Sequence, residues 1–206
     1  MSNLITKRWA KYVARKSKWG IALDFLFVIA LLLLIIPQSR TSITGFIIRN
    51  TLFQPRETKE VIYLPESQLQ WSMLSQHGDT ITLKELQGKV LFINLWATWC
   101  PPCVAEMPSI AKLHEQWKDN VMFLLINDED PDKVSRFMSE RGLNLPVYRP
   151  IGTTPELLNS ESIPATFIVT PNHRIVLRKI GAADWNGRRI HKILSKYTKA
   201  NVNGEQ

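Results

Sequence analysis

Apolar and polar residues alternate in distinct rhythms along this chain, and three of those rhythms predict structure directly. The first is unbroken: residues 20–36, "GIALDFLFVIALLLLII", are apolar apart from Asp24 and close at Pro37. With no polar face to break the run, it does not fit a buried core helix. At about 1.5 Å rise per residue it reaches roughly 25 Å, just long enough to cross a bilayer core with Trp19 at the interface. The second rhythm is the short, almost wholly apolar block bounded by turn residues, expected of strands covered on both faces. Val90–Trp96 and Val121–Ile126 are of this kind. The third is the longer block that carries helix signals: 101–118, opening on a double proline with a further proline at 108; Asp132–Arg141, stopped by Gly142; and 184–197, with Asp184 as expected N-cap. "WSML" and "TITL" flank the turn-forming Gln76–Asp79 and predict a β-hairpin, and Ala165–Thr170 and Ile175–Ile180 predict another across "PNHR". Strands and helices in this order predict an α/β sandwich on a mixed sheet.

Charge sharpens the N-terminal reading. The chain has 206 residues and a formal net charge of +8. Residues 1–60 carry ten Lys/Arg against three Asp/Glu, and the remainder carries sixteen against fifteen. A phosphate-tracking surface needs its charge on the folded domain, so nucleic acid is excluded as a partner. Lys7, Arg8, Lys11, Arg15, Lys16 and Lys18 precede the apolar run, whereas only Arg40, Arg49 and Arg56 follow it within twenty residues. The positive-inside rule then places the N-terminus in the cytosol and the rest outside it. No small-x-small cleavage pattern follows the run directly, which favours an uncleaved anchor over a signal peptide. Asp24, near the cytosolic end, reads as a carboxylate reaching the interface. The expected organisation is a basic cytosolic tail at 1–19, a transmembrane signal anchor at 20–37, a juxtamembrane linker at 38–66 and a folded domain at 67–206. Within the linker, residues 42–53 are amphipathic enough to lie on the outer membrane surface, and serve equally well as the start of a tether.

Candidate chemistry is concentrated in one stretch, "NLWATWCPPCVAEMP", residues 94–108, which holds both cysteines of the chain. A zinc site needs about four ligands, and no second pair or nearby histidine offers them. A structural staple across two residues constrains the unfolded chain little. A CxxC between a buried strand and a helix N-terminus sits where backbone N–H groups and the helix dipole favour a thiolate on the first cysteine. Cys100, expected to be exposed, then attacks a substrate disulfide, and Cys103, one turn inside, resolves the mixed disulfide. No cofactor is called for.

"INLWATWCPPC", with "EMP" after it and "SIPATFIV" about sixty residues on, resembles the thioredoxin superfamily, and more closely the membrane-anchored TlpA/ResA-type thiol–disulfide oxidoreductases. The resemblance covers roughly residues 67–198 and extends to the segment 142–167, similar to an insertion of that subfamily. It implies a thioredoxin-like three-layer sandwich with an N-terminal β-hairpin, preceded here by one transmembrane helix. It implies that Cys100 is the nucleophile and Cys103 the resolving cysteine. It further implies that Pro164 follows a cis peptide bond against the disulfide, with Ile163 before it, and that Trp99 stands at the rim. Trp99, Pro101, Pro102, Ile163 and Pro164 are thereby the expected substrate-binding residues. Thioredoxin's buried aspartate is replaced by Asn94, which cannot titrate; the subfamily's glutamate three residues after the second cysteine is Glu106, expected to take the Cys103 proton.

Pro101 and Pro102 remove two backbone N–H groups that could solvate a thiolate, which disfavours a strong oxidant. The expected activity is therefore reduction of extracytoplasmic protein disulfides, as in cytochrome c maturation, in the periplasm of a bacterium with the bilayer engaged through residues 20–37. A membrane electron-transfer protein would recharge the dithiol. The alternatives are a dithiol oxidase or isomerase, and a copper-binding module using the same soft sulfurs, for which Met107 reads better as a packing residue than as a third ligand. A peroxidase of related fold fits the paired cysteines poorly.

Overall fold

Val90–Leu95 (β4) is buried at every position, and the rest of the fold follows from covering both of its faces. The computed structural model describes residues 17–35 and 52–202. Two compact units are distinguished, residues 1–44 and 45–206. In the first, Lys18–Ile35 forms helix α1, 18 residues long. That is about 27 Å of rise. Among the described residues no helix is long and apolar enough to cross a membrane. Ile36 and Pro37, which close the expected span, lie outside the described residues, as do residues 42–51 of the amphipathic stretch.

The second unit is built on an eight-stranded mixed sheet. Its strands are Ile62–Tyr63 (β1), Ser72–Ser75 (β2), Thr80–Thr82 (β3), β4, Val121–Ile126 (β5), Val147–Ile151 (β6), Ala165–Val169 (β7) and Arg174–Ile180 (β8). They are arranged in the order β1-β8-β7-β4-β5-β6-β2-β3. β4, β5 and β6 run parallel, and every other pairing is antiparallel. The predicted N-terminal hairpin, β2–β3, therefore extends the sheet through β6. Strand β6 escapes the sequence reading because Pro150 interrupts it and its burial is partial.

Alternation along β4 divides the core. Val90 and Phe92 join an apolar cluster with Pro101–Trp117 (α3), Pro131–Glu140 (α4) and Arg188–Val202 (α5). Leu91, Ile93 and Leu95 join the opposite cluster, with Leu69 of the short helix Glu66–Leu69 (α2), Trp71, Met73, Leu83 and Leu158. The sandwich is thus unequal: one face carries the long helices, the other short turns and the hairpin. Two parallel connections, β4–α3–β5 and β5–α4–β6, account for this, since right-handed crossovers place both helices on one side.

Residues 53–66, expected as linker, instead run along the domain. Thr58 N–H donates to the Val176 carbonyl at 2.8 Å, β1 pairs with β8, and Leu64 is buried. Nor does α5 begin at Asp184. The Asp184 carboxylate accepts from the Asn186 N–H within its own loop, and α5 starts at Arg188. The helix end is served instead by Gln54, whose Oε1 accepts from Arg189 N–H at 3.2 Å and whose carbonyl accepts from Arg189 Nη1 at 3.0 Å. A cap supplied from 135 positions away leaves no local signal. A Cβ on Gly187 would fall 2.0 Å from Gln54 Cδ. Gly187→Ala is therefore expected to eject the Gln54 side chain and cost about 0.5–2 kcal/mol, as loss of a helix cap does. Gln54→Ala should cost a similar amount and the double variant little more than either; denaturant unfolding of the set checks this.

Candidate active site

The C-terminal end of β4 delivers the chain into the N-terminus of α3, and Cys100 and Cys103 meet there as a disulfide, with Cα atoms 5.3 Å apart. Cys100 occupies the N-cap of α3 in an extended conformation, and Pro101 and Pro102 fill the first turn. The sulfur of Cys100 accepts the Cys103 N–H at 3.3 Å. In the reduced chain that donor and the positive end of α3 face the position of a thiolate. On its other side Cys100 Sγ lies 3.7 Å from the Ile163 carbonyl oxygen. The Ile163–Pro164 peptide bond is cis, and the Pro164 carbonyl accepts from the Gly181 N–H at 2.8 Å, so the proline loop is tied to the end of β8.

One expectation is corrected. Cys100 is not exposed: it retains 4% of its surface and Cys103 none. Trp96 and Ala97 pack with Cys100 in the helix-side cluster, with Ile163 against it, which covers the sulfur in the disulfide form. The exposed group is Trp99, at 68%. Pro101, Pro102 and Ile163 are half-buried around the disulfide, and Pro164 is buried.

Glu106 is fully buried, one helical turn beyond Cys103 and on the same face of α3. Its Oε1 accepts from Asn94 Nδ2 at 2.9 Å. Its Oε2 accepts from the Ala183 N–H at 3.0 Å and from Trp185 Nε1 at 2.8 Å. Burial pushes its pKa up to about 7, against the pull of those donors and of the Lys179 charge. Asn94, at the position of thioredoxin's aspartate, also donates to Thr166 Oγ1 at 2.8 Å, while its Oδ1 is buried without a partner. A polar island of Asn94, Glu106, Thr166 and Trp185 thus lies within an apolar layer. Thr166 and Trp185 were missed in the sequence: they stand far from the motif, and no spacing links them to it.

A second group was also missed. Glu129, in the loop that follows β5, accepts from the Thr98 N–H at 2.6 Å, from Thr98 Oγ1 at 2.8 Å and from Asn127 Nδ2 at 3.1 Å, and pairs with Lys133. It therefore grips the chain two residues before Cys100. Burial raises its pKa, but Lys133, Thr98 and Asn127 together outweigh that and hold it at about 2. The signal was present as the acidic run "NDED" at the end of a buried strand parallel to β4. Glu129→Gln is expected to cost about 1.5–3 kcal/mol, the range for hydrogen bonds to a charged group. Because its folded pKa is depressed, this stability is present above the ordinary 4.5 and is lost as pH falls toward 2. Acid unfolding of the wild type should accordingly be steeper than that of the variant. Among the described residues no group of three or more His, Cys, Asp and Glu side chains is placed to hold a metal ion.

Comparison with known proteins agrees with this architecture. The model of the AhpC/TSA family matches residues 64–178. The thiol-disulfide oxidoreductase ResA of Halalkalibacterium halodurans is 34% identical over 102 residues, covering 48% of this chain and 58% of that protein. ResA of Bacillus subtilis is 28% identical over 166 residues, covering 78% of this chain and 88% of that protein. A secreted thiol-disulfide isomerase from Corynebacterium glutamicum superposes with a TM-score of 0.51 at 20% identity, over 73% of this chain and 98% of that one. At that identity the likeness speaks for the fold.

Proposed function

The chain belongs to the AhpC/TSA family, and from its likeness to the ResA proteins we propose that it is a thiol–disulfide oxidoreductase which reduces protein disulfides through Cys100 and Cys103. The observation that carries the reading is the Cys100–Cys103 disulfide at the N-cap of α3, with the buried Glu106 one turn behind it. In the reduced chain the Cys100 thiolate attacks one sulfur of the substrate disulfide, whose S–S bond breaks and releases the first substrate thiolate. Cys103 then gives its proton to the Glu106 carboxylate and attacks Cys100 Sγ. The mixed disulfide breaks, the second substrate thiolate leaves, and the chain has lost two electrons to its substrate. Trp99 at the rim and the Ile163–Pro164 loop beside Cys100 offer an extended substrate an aromatic face and main-chain hydrogen bonds.

The direction of transfer follows from what stabilises the Cys100 thiolate. Pro101 and Pro102 bring no N–H to the sulfur, leaving the Cys103 N–H as its main-chain donor. A weakly stabilised thiolate belongs to a reductant rather than to a strong oxidant. Location completes the proposal. The apolar residues 20–37, with six basic residues before them, support a single-pass anchor in the inner membrane of a bacterium, N-terminus in the cytosol and the catalytic unit in the periplasm. There the protein would keep selected thiols reduced, as cytochrome c maturation requires, and a membrane electron-transfer protein would recharge it.

The test is the reduction potential of the full chain in detergent, equilibrated against a dithiol buffer with alkylation of free cysteines. A value below about −230 mV is expected of a reductant. A value of about −120 to −180 mV, the range of oxidants and isomerases, would reverse the direction and favour the oxidase or isomerase reading.

A further inference from the structure

The loop between β8 and α5 carries no residue with an obvious chemical role, yet it holds both halves of the site. Gly181, in the left-handed region at φ +84°, donates its N–H to the carbonyl of Pro164, whose neighbour Ile163 lies against the Cys100 sulfur. Two residues on, Ala183 donates to Glu106 Oε2, and Trp185 donates to the same oxygen through its ring. We propose that Trp185 is a positioning residue for the proton step at Cys103: its indole N–H fixes the Glu106 carboxylate from this loop and shares its negative charge. The inference rests on the reading of Glu106 as proton acceptor.

Four observations bear on it. Trp185 is fully buried, so water cannot replace it as a donor. Its ring meets Phe92 edge-on, with centroids 5.1 Å apart and planes at 89°. Its main-chain N–H donates to Ser109 Oγ at 3.2 Å, and Ser109 Oγ donates to the Glu106 main-chain carbonyl at 2.7 Å. The indole is therefore held at ring and backbone alike, with its N–H aimed at the carboxylate. Finally, a tryptophan N–H can only donate, so its acceptor must keep a lone pair toward it in both protonation states. A proton arriving on Glu106 is thereby directed away from the Oε2 lone pairs already engaged, toward Oε1.

The groups around this carboxylate are few and named. Cys103 lies on α3, Lys179 on β8 acts as a distant favourable charge, and Asn94 of β4 is neutral and donates to Oε1. Thr166 of β7 bonds Asn94 rather than Glu106, and the Asp184 carboxylate is engaged by the Asn186 N–H. None of these substitutes for the indole. Hydrogen bonds to an ionised group favour the charged form, so removal of the Trp185 donor must weaken Glu106 as an acid.

The experiment uses the oxidised full chain in detergent micelles, with carbon-labelled glutamate carboxyls and nitrogen-labelled indoles followed by NMR from about pH 5 to 9. The Glu106 carboxyl and the Trp185 indole N–H are expected to titrate together, with one midpoint near 7, and Glu106→Gln should abolish the indole titration. In Trp185→Phe, which keeps an aromatic ring against Phe92, the Glu106 midpoint should rise by about one pH unit, a tenfold change in acid strength. An indole resonance that stays flat through the carboxyl titration overturns the proposal. So does an unmoved Glu106 midpoint in a folded Trp185→Phe chain. If that variant does not fold, the indole titration of the unaltered chain decides alone. Neither resonance depends on turnover: a chain that titrates as expected but exchanges no thiols refutes the proposed function and keeps only the indole's hold on the Glu106 carboxylate, whereas active exchange with a flat indole refutes the role of Trp185 alone.

Discussion

Changing Cys103 to serine is expected to abolish turnover and to leave Cys100 covalently joined to its substrate. The reason lies in the division of labour between the two sulfurs. Cys100 holds the N-cap position, where its sulfur receives the Cys103 N–H, and that main-chain donor survives the substitution. The first attack therefore proceeds. A serine hydroxyl at 103 fills nearly the same fully buried volume, but it does not ionise near neutral pH and cannot displace a thiolate. The mixed disulfide then has no intramolecular exit. Cys100→Ser should give the opposite pattern, no adduct and no turnover. Mass measurement under non-reducing conditions after exposure to a disulfide-bonded protein separates the two. An adduct that accumulates on Cys100→Ser, or none on Cys103→Ser, would exchange the roles of the cysteines or remove them.

Glu106→Gln is expected to slow exchange by about 10²–10⁴-fold, the range for loss of a general acid–base group, and to erase the inflection near pH 7 from its pH profile. The same substitution should change stability in a pH-dependent way, and the sign can be worked out. Burial raises the folded pKa of Glu106 above the ordinary 4.5, to about 7. Between those values the folded chain binds more protons than the unfolded one, so wild-type stability falls as pH rises through that window. The full loss above it is roughly 3 kcal/mol at 1.36 kcal/mol per unit. Glutamine does not titrate, so the variant should be flatter with pH and the more stable of the two above pH 7. Its amide would turn an N–H toward Asn94, whose Oδ1 now lacks a partner, and a turned-over Asn94 amide can accept it. Denaturant unfolding of the oxidised proteins on either side of neutrality checks the difference. Equal slopes in wild type and variant would mean that Glu106 ionises like an exposed carboxylate and has no part in the proton step.

Legibility in the sequence followed the range of the interactions involved. β4, β5 and β7 were evident because a strand covered on both faces is apolar almost throughout, β8 was evident from the turn-forming "PNHR" before it, and Val121–Ile126 needs no partner to be recognised. The dithiol was evident because its chemistry is written in four consecutive residues, Cys100 to Cys103. Glu106 was reachable through the resemblance, which implies a glutamate three residues after the second cysteine, one helical turn from Cys103. What escaped was set by distant contacts. The start of α5 depends on Gln54, the expected linker at 53–66 is drawn onto the domain by pairing with β8, and Glu106 is held by Trp185 and Ala183, 79 and 77 positions away. The exposure of Cys100 was misjudged for the same reason: Ile163, which lies against its sulfur, comes from the far side of the sequence. Local periodicity cannot report a partner that only the fold supplies.

The central claim is that Cys100 and Cys103 act as one two-electron couple toward protein disulfides. The most direct measurement mixes the fully reduced full chain with a disulfide-bonded protein and counts, by alkylation and mass, the thiols lost by one and gained by the other. Both cysteine thiols of the chain are expected to be lost for each substrate disulfide opened, with no lasting adduct. A chain that keeps both thiols while the substrate stays oxidised, or that loses one and remains bound, would contradict it.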